Sequence, residues 1–270
     1  MPLAVCATPI GNLADVTLRV LDELRLADLV LCEDTRRTRI LLDRHGVQAR
    51  VASYHRHNEA ARTRQMIERL RAGERIALVS DAGLPGINDP GARLIAAAIA
   101  EELDVAVLPG PSAVETALVV SGFAVEQYRF VGYLPRRAGE LRGLAGELAA
   151  WPGAVVAFES PTRLPTSLAV LAEELPGRRA AVCRELTKRY ETVSRGSLAE
   201  LAAAFTEAPR GEITLVVGAA ETDARRRPDD EAARHAVAEL IAAGASRRSA
   251  AEVVSRLTGV SRNTLYRESL

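Results

Sequence analysis

Ile76-Ala-Leu-Val-Ser-Asp-Ala-Gly-Leu-Pro-Gly-Ile-Asn-Asp-Pro-Gly91 decides the fold: a short apolar run opens into a loop thick with Gly, Pro and Asp. The apolar stretch Ala77 to Val79 is too short and too β-branched at its end for a helix. Gly83, Pro85, Gly86, Pro90 and Gly91 forbid one downstream. The segment therefore reads as a buried strand that hands a loop to its C-terminal end. Glycines let backbone approach a ligand, prolines stiffen the approach, and Asp81 offers a fixed negative acceptor where open α/β sheets bind their ligands. A plain connection is the competing reading, but structureless loops of this length are uncommon in compact domains.

The strand, loop, helix order repeats on both sides. Residues 3–7 read as a strand, followed by Thr8-Pro-Ile-Gly-Asn12 and a helical pattern with Leu18, Leu21 and Leu24 on one side. Strands follow at 28–32 and 105–108, and helices at 35–44, 56–71, from about 93, and 113–120, the last ending at Ser121-Gly122. Such alternation implies a mainly parallel sheet. Beyond it the rhythm changes: strands are expected at 129–132, 154–158, 180–184, 191–195 and 213–217, with helices at 138–150, 164–175 and 198–205. Two strands closely flanking Lys188 imply a hairpin and hence a mixed sheet.

The expected architecture is α/β: an N-terminal domain over 1–120 with a mainly parallel sheet, a mixed α/β domain over 121–222, and a helical tail over 228–270. The polar joint Asp223 to Asp230 separates the tail. Residues 245–270 carry five Arg against two Glu. Their layout, a helix through Leu257, a turn at Thr258-Gly-Val-Ser261 and then Arg-Asn-Thr-Leu-Tyr-Arg, fits a helix-turn-helix or a helical cap equally well.

Composition bounds the function. At 270 residues and 48% hydrophobic content the chain can build a substantial core. No apolar run approaches a bilayer span, and Met-Pro-Leu-Ala-Val-Cys lacks the basic flank of a signal peptide, so the expected address is the cytoplasm with no membrane partner. Cys6, Cys32 and Cys183 lie singly in apolar stretches, as core residues rather than a disulfide framework or zinc site. Lys plus Arg and Asp plus Glu each total 35, so any basic surface must come from segregated charge. Lys188 is the sole Lys in the chain. An ammonium kept where Arg is otherwise universal marks that position for attention.

Several loops concentrate chemistry. Ala7-Thr-Pro-Ile-Gly-Asn12 stands where a dinucleotide fold carries Gly-x-Gly-x-x-Gly, and lacks it; a nucleoside ligand without phosphates suits this loop better than NAD. Pro109-Gly-Pro-Ser-Ala113 follows another strand toward the same cleft. The acids of Glu33-Asp-Thr-Arg-Arg37 suit a helix start, but capping does not account for its arginines. Ser53-Tyr-His-Arg-His-Asn-Glu59 offers polar contacts from His55; His55 and His57 without further ligands nearby make a poor metal site, and no metal is expected. Glu159, Ser160 and Arg163 fit capping roles. Arg184-Glu-Leu-Thr-Lys-Arg-Tyr-Glu191 surrounds Lys188 with charge suited to pairing phosphate or moving a proton.

The ordered set Ala-Thr-Pro-Ile-Gly-Asn, Glu-Asp-Thr-Arg, Ser-Tyr-His-x-His-Asn-Glu, Ser-Asp-Ala-Gly-x-Pro, Asp-Pro-Gly, Pro-Gly-Pro-Ser-Ala, Glu-Ser-Pro, Arg-Glu-Leu-Thr-Lys and Gly-Glu-Ile closely resembles the small-subunit ribosomal RNA methyltransferase I family, in the tetrapyrrole methylase superfamily. The resemblance covers roughly residues 3 to 220. It implies a two-domain tetrapyrrole-methylase-like fold, a homodimer, and S-adenosyl-L-methionine as cofactor in the cleft between the domains. It further implies 2′-O-methylation of the ribose of a cytidine in the decoding region of 16S rRNA within the small subunit. Carried onto this sequence, the cofactor is expected at Ile10, Asp81, Ala82, Gly83, Leu84, Ile87, Ser112, Ala113 and Phe158.

Departures from the family pattern are Leu84, Gly86, Asn88 and Thr162, where contacts through side chains change and backbone contacts survive. For catalysis, Lys188 or Glu185 is expected to order the phosphate-ribose unit or relay its proton. Arg36, Arg37, His55, Arg136 and Arg137 are candidate substrate contacts, with a solvated surface as the other reading of the arginines. Rival functions are a small-molecule methyltransferase acting on a tetrapyrrole and a non-enzymatic, cofactor-sensing DNA regulator.

Overall fold

A computed structural model of the chain describes residues 3–220 and 230–268. These fall into two compact units, divided after Ala220. In the first, β1 (Leu3–Cys6), β2 (Leu29–Cys32), β3 (Val51–Ser53), β4 (Ile76–Val79) and β5 (Val105–Leu108) form one parallel sheet in the order β3-β2-β4-β1-β5. The connecting helices are α1 (Leu18–Leu26), α2 (Thr35–Arg44), α3 (Glu59–Arg71) and α4 (Ala92–Ala100). Alternate strand residues serve opposite faces. Ala4, Cys6, Val30, Cys32, Ala77 and Val79 pack with Val20, Leu24, Leu41 and Leu42 of α1 and α2. Leu3, Leu29, Leu31, Ile76 and Leu78 pack with Met66, Leu70 and Leu94 of α3 and α4. Both faces are covered, as a parallel sheet requires.

The path from β1 to β2 runs one way along this sheet and the path from β4 to β5 runs the other, so the chain changes direction around β1 and β4. The loops after β1, β4 and β5 therefore emerge side by side at the carboxyl ends of adjacent strands, the usual ligand crevice of such sheets.

After α5 (Ala113–Ser121) comes a mixed sheet ordered β6-β7-β10-β8-β9, from β6 (Tyr128–Tyr133), β7 (Ala154–Glu159), β8 (Arg179–Arg184), β9 (Thr192–Ser197) and β10 (Ile213–Val217). Helices α6 (Ala138–Ala149), α7 (Leu164–Glu174) and α8 (Leu198–Ala204) cover one face through Leu141, Leu148, Leu168, Leu171 and Leu201. The other face takes Val114, Ala117 and Leu118 of α5, and also Ile10 from the loop after β1. That single isoleucine brings the first sheet's loop into the second sheet's core. The hairpin around Lys188 is present, with β8 and β9 antiparallel over six residue pairs.

Three local expectations need correction. Leu18 is 79% exposed; Val20 joins Leu21 and Leu24 on the buried side of α1. The helix expected from 56 begins at Glu59, because Asn58 accepts the His55 N–H and donates to the Ser53 carbonyl, holding 55–58 as a turn. Strand β3 has no signature in the sequence: three half-buried residues carry no readable alternation. All three cysteines are buried and free, as expected.

The second unit contains α9 (Asp230–Ala242), α10 (Arg247–Thr258) and α11 (Arg262–Glu268). Gly259, at φ 76°, ends α10 in the left-handed conformation that favours Gly. Ala233, Val237, Ala250, Ala251, Val254, Val260 and Leu265 form the unit's own small core. Arg248, Arg256, Arg262 and Arg267 remain exposed. The expected polar joint at 223–230 lies outside the described residues except for Asp230. No described helix is long and apolar enough to cross a membrane.

Candidate active site

The loop after β4 is stitched to the loop after β1. Thr8 and Gly83 exchange backbone hydrogen bonds of 2.9 and 3.0 Å, and Thr8 Oγ1 donates to the Ser80 carbonyl at 3.0 Å. Gly83 has φ +79°, and its missing side chain leaves the backbone open toward Ile10 and the Pro111 carbonyl. Gly110, after β5, is closer still: a Cβ there would lie 2.9 Å from Ala7 Cβ. These close approaches bring three strand-end loops into one wall.

That wall and the strand ends of the second sheet enclose a cavity of about 790 Å³. Ile10, Asp81, Ala82, Gly83, Leu84, Ile87, Ser112, Ala113 and Phe158 all stand on it, together with Arg37. Phe130, Phe158 and Tyr133 form an edge-to-face aromatic side, with ring centroids 5.0 and 5.5 Å apart. Arg36, His55, Arg136, Arg137, Glu185 and Lys188 do not line it. Among these, Arg36 pairs with Asp34 and keeps its side chain 88% exposed, while Arg137 pairs with Glu140 and Arg136 is exposed. The Arg36 guanidinium hydrogen bond, then the Arg36 N–H, holds the Asp34 carboxyl well below the usual range. That carboxylate is the α2 N-cap. His55 Nε2 meets Asn58 at 3.3 Å, while its buried Nδ1 has no hydrogen-bond partner among the described residues.

The carboxylates on the wall are unequal. Asp81 accepts the Asp34 N–H at 3.1 Å and pairs with Arg37 at 3.3 Å. Glu159 is buried and fully occupied by the Ser160 N–H, Ser167 Oγ and Arg163. Glu115 accepts from Ser112 and Tyr128. Glu212 accepts from Lys188 Nζ at 2.9 Å, and Glu185 accepts from the same ammonium at 2.9 Å and from the Glu212 N–H. Lys188 thus reaches the cavity rim through Glu212.

Burial pulls the Lys188 pKa down, but its hydrogen bonds to Glu185 and Glu212 and their charges outweigh burial and raise it. Burial likewise pushes Glu185 up, and the Lys188 hydrogen bond, the Glu212 N–H and nearby cations more than reverse it. A stabilised ammonium beside a stabilised carboxylate suits charge pairing rather than proton acceptance.

Sequence reasoning did not nominate Glu33, Arg56, Asp89, Phe130, Tyr133 or Glu212, all on the wall. Glu33, Asp89 and Glu212 sit inside motifs singled out from the sequence, so their signal was available. Phe130 reads only as a strand residue, and Tyr133 falls just beyond the strand expected at 129–132. Among the described residues, no cluster of His, Cys, Asp and Glu fits a metal ion.

Residues 2–202 match the family described as Tetrapyrrole (Corrin/Porphyrin) Methylases. The chain is 43% identical to a Mesorhizobium japonicum protein named Ribosomal RNA small subunit methyltransferase I, over 99% of this chain and 91% of that one. It is 39% identical to a Synechocystis protein of the same name, over 99% and 97%. Its fold is similar to that of diphthine synthase, with a TM-score of 0.64 at 16% identity over 80% of this chain and 89% of that one. It is also similar to a uroporphyrin-III-C-methyltransferase from Thermus thermophilus, with a TM-score of 0.58 at 19% identity over 80% and 93%.

Proposed function

This chain belongs to the tetrapyrrole methylase family and, within it, to the ribosomal RNA small subunit methyltransferase I proteins, and from that membership we propose that it methylates the 2′-hydroxyl of a cytidine ribose in the decoding region of 16S rRNA. The observation that carries the reading is the cavity walled by the loops after β1, β4 and β5 and by the aromatic strand ends of the second sheet.

The donor set fits S-adenosyl-L-methionine. Ile10, Leu84, Val114 and Phe158 offer apolar surface for an adenine and the methionine methylenes, and the acidic wall suits ribose hydroxyls and the sulfonium and ammonium cations. The loop after β1 lacks the multiple glycines of a pyrophosphate cradle. When bound, the cofactor supplies a methyl group already activated on a sulfonium. The protein's contribution is then alignment of the receiving oxygen with that carbon.

In this reading Ile10, Asp81 to Leu84, Ile87, Ser112, Ala113 and Phe158 hold the cofactor. Domains at 1–120 and 121–222 build the cleft, and the basic tail at 228–270 contacts RNA. Lys188, held by Glu185, pairs with substrate phosphate, as do Arg36, Arg136 and Arg137; His55 also contacts the substrate, and Arg37 does so from the cavity wall. The enzyme works as a homodimer in the cytoplasm on the assembled small subunit.

Mass-spectrometric mapping of 16S rRNA from cells with and without this protein tests the proposal. Loss of one cytidine ribose methyl, restored by adding the protein and cofactor to the unmethylated subunits, is expected. An unchanged rRNA together with methylation of a porphyrinoid would replace it with the tetrapyrrole reading.

A further inference from the structure

Methylation of a hydroxyl releases a proton, and the groups named so far accept it poorly. Lys188 is held as an ammonium, and Glu185 is stabilised as a carboxylate by that ammonium and the Glu212 N–H. On the cavity wall, Asp81, Glu115, Glu159 and Glu212 are each occupied by a cation, a hydroxyl or an N–H. The carboxylates of Asp89 and Glu33 line the same cavity and make no hydrogen bond or ion pair among the described residues.

The backbone around Asp89 is built to hold it there. Asn88 adopts φ 60°, a left-handed conformation that Asn tolerates better than most residues. Its carbonyl accepts from Arg56 Nη2 at 2.7 Å, and its amide lies against Gly132, where a Cβ would stand 2.8 Å from Asn88 Oδ1. Pro90 fixes the next φ, and Gly91, at φ +130°, seats the turn on Leu78, which a Cβ would approach to 2.8 Å. Asp89 is thus fixed from both sides.

We propose that Asp89 is the general base, its carboxylate taking the proton of the ribose hydroxyl that is methylated. This rests on the function proposed above. As the hydroxyl proton passes to Asp89, the oxygen forms its bond to the methyl carbon, the carbon–sulfur bond breaks, and its electron pair stays on sulfur as a neutral thioether. The proton then leaves Asp89 for solvent.

The surroundings tune Asp89 for this task. Burial first, then the charges of Glu33 and Asp81, push its pKa up to about 6, against the opposing pull of Arg56. Tyr133 lines the same cavity, and its pKa is raised by burial first and by the charges of Glu212 and Asp89 after it. An acceptor near the working pH has the balance that general-base catalysis favours.

The test compares wild type, Asp89→Asn and Glu33→Gln at saturating cofactor in single-turnover methylation of unmethylated small subunits across pH 5 to 8.5. Cofactor Kd and carboxyl titration by NMR are measured on the same proteins. Wild type should rise through a midpoint near 6 to a plateau. Asp89→Asn should lose about 10²- to 10⁴-fold in rate together with that midpoint, at a cofactor Kd within about twofold of wild type. One carboxyl titrating near 6 should vanish from its spectrum. Glu33→Gln should move the midpoint to lower pH by removing a neighbouring charge. An Asp89→Asn enzyme that keeps the wild-type profile overturns the assignment. So does one that loses cofactor affinity while keeping the midpoint, which makes Asp89 a cofactor ligand. Both outcomes leave the rRNA reading standing, whereas a wild-type protein that methylates no rRNA overturns that reading and this one with it.

Discussion

Gly11 lies directly against Lys188. A Cβ on Gly11 would stand 2.5 Å from Lys188 Cγ, 2.7 Å from Thr187 Oγ1 and 2.8 Å from the Leu186 carbonyl. Alongside, the Asn12 N–H donates to Thr187 Oγ1 at 3.0 Å, and Ile10 enters the apolar cluster that holds Leu186. The loop after the first strand and the β8–β9 hairpin are therefore one packed contact. The Lys188 chain is flexible, but the Leu186 carbonyl belongs to a turn already fixed by positive φ at Glu185 and Thr187. Gly11→Ala should cost about 1–3 kcal/mol, as overpacking does. It should appear as a lower urea midpoint at unchanged m value, with weaker cofactor binding because the same loop carries Ile10.

Lys188→Ala removes the cation that Glu185 and Glu212 share and leaves two carboxylates near the cavity rim. If the ammonium pairs with substrate phosphate, kcat/KM for small subunits should fall about tenfold or more, the value of a charged hydrogen bond. The loss should lie in KM more than in kcat. The slope of log binding against log salt should shrink by about one contact. Arg in its place should recover part of the affinity, since the charge returns without the compact ammonium geometry.

Much of this was legible in the sequence, for identifiable reasons. The strands at 105–108 and 213–217 and the helix at 35–44 matched to the residue, because apolar runs and an Asp34 cap mark their ends. Thr8, Gly83 and Gly110 lie in loops whose Gly and Pro content announces a close backbone approach. Occupancy was not legible. That Glu159 is spent on Ser160, Ser167 and Arg163, while Asp89 has no hydrogen bond or ion pair among the described residues, depends on side-chain directions that the sequence pattern does not carry. A second example is Phe130, which reads as an ordinary strand residue until β6 pairs with β7 and sets it beside Phe158.

Arg178 is 5% exposed and spends its guanidinium on three backbone carbonyls: Gly218 at 3.1 Å, Leu148 at 2.9 Å and Gly153 at 2.9 Å. Burial pushes its pKa down, yet guanidinium remains charged. The three carbonyls come from separate segments, so this side chain closes the end of the mixed sheet. Arg178→Met keeps most of the volume and leaves the Gly218 and Gly153 carbonyls without this donor, while the Leu148 carbonyl keeps the Trp151 N–H. The expected loss is about 3 kcal/mol or more, since each buried group left unsatisfied costs about 1–3. Arg178→Lys should recover only part, because an ammonium cannot reproduce the planar fork. Urea midpoints of the three proteins, without any assay of activity, decide this.

Asp89 also makes a prediction about stability, with a sign opposite to that of a paired carboxylate. Its pKa in the folded chain is raised to about 6 from an ordinary 3.8, so between those values the folded state holds the proton more tightly than the unfolded state does. This group's contribution is therefore most favourable at low pH, declines as pH rises from about 4 through about 6, and stays unfavourable above. The penalty is at most about 3 kcal/mol at 1.36 kcal/mol per pKa unit. Asn resembles the neutral acid at every pH. Asp89→Asn should accordingly be more stable than wild type at pH 8, by about 1–3 kcal/mol. The advantage should shrink steadily toward pH 4, whatever the other carboxylates do, since they are common to both proteins. Paired urea titrations across that range read the difference directly; a constant difference would mean that Asp89 titrates normally, and a less stable variant at pH 8 would mean that its charge is stabilised after all.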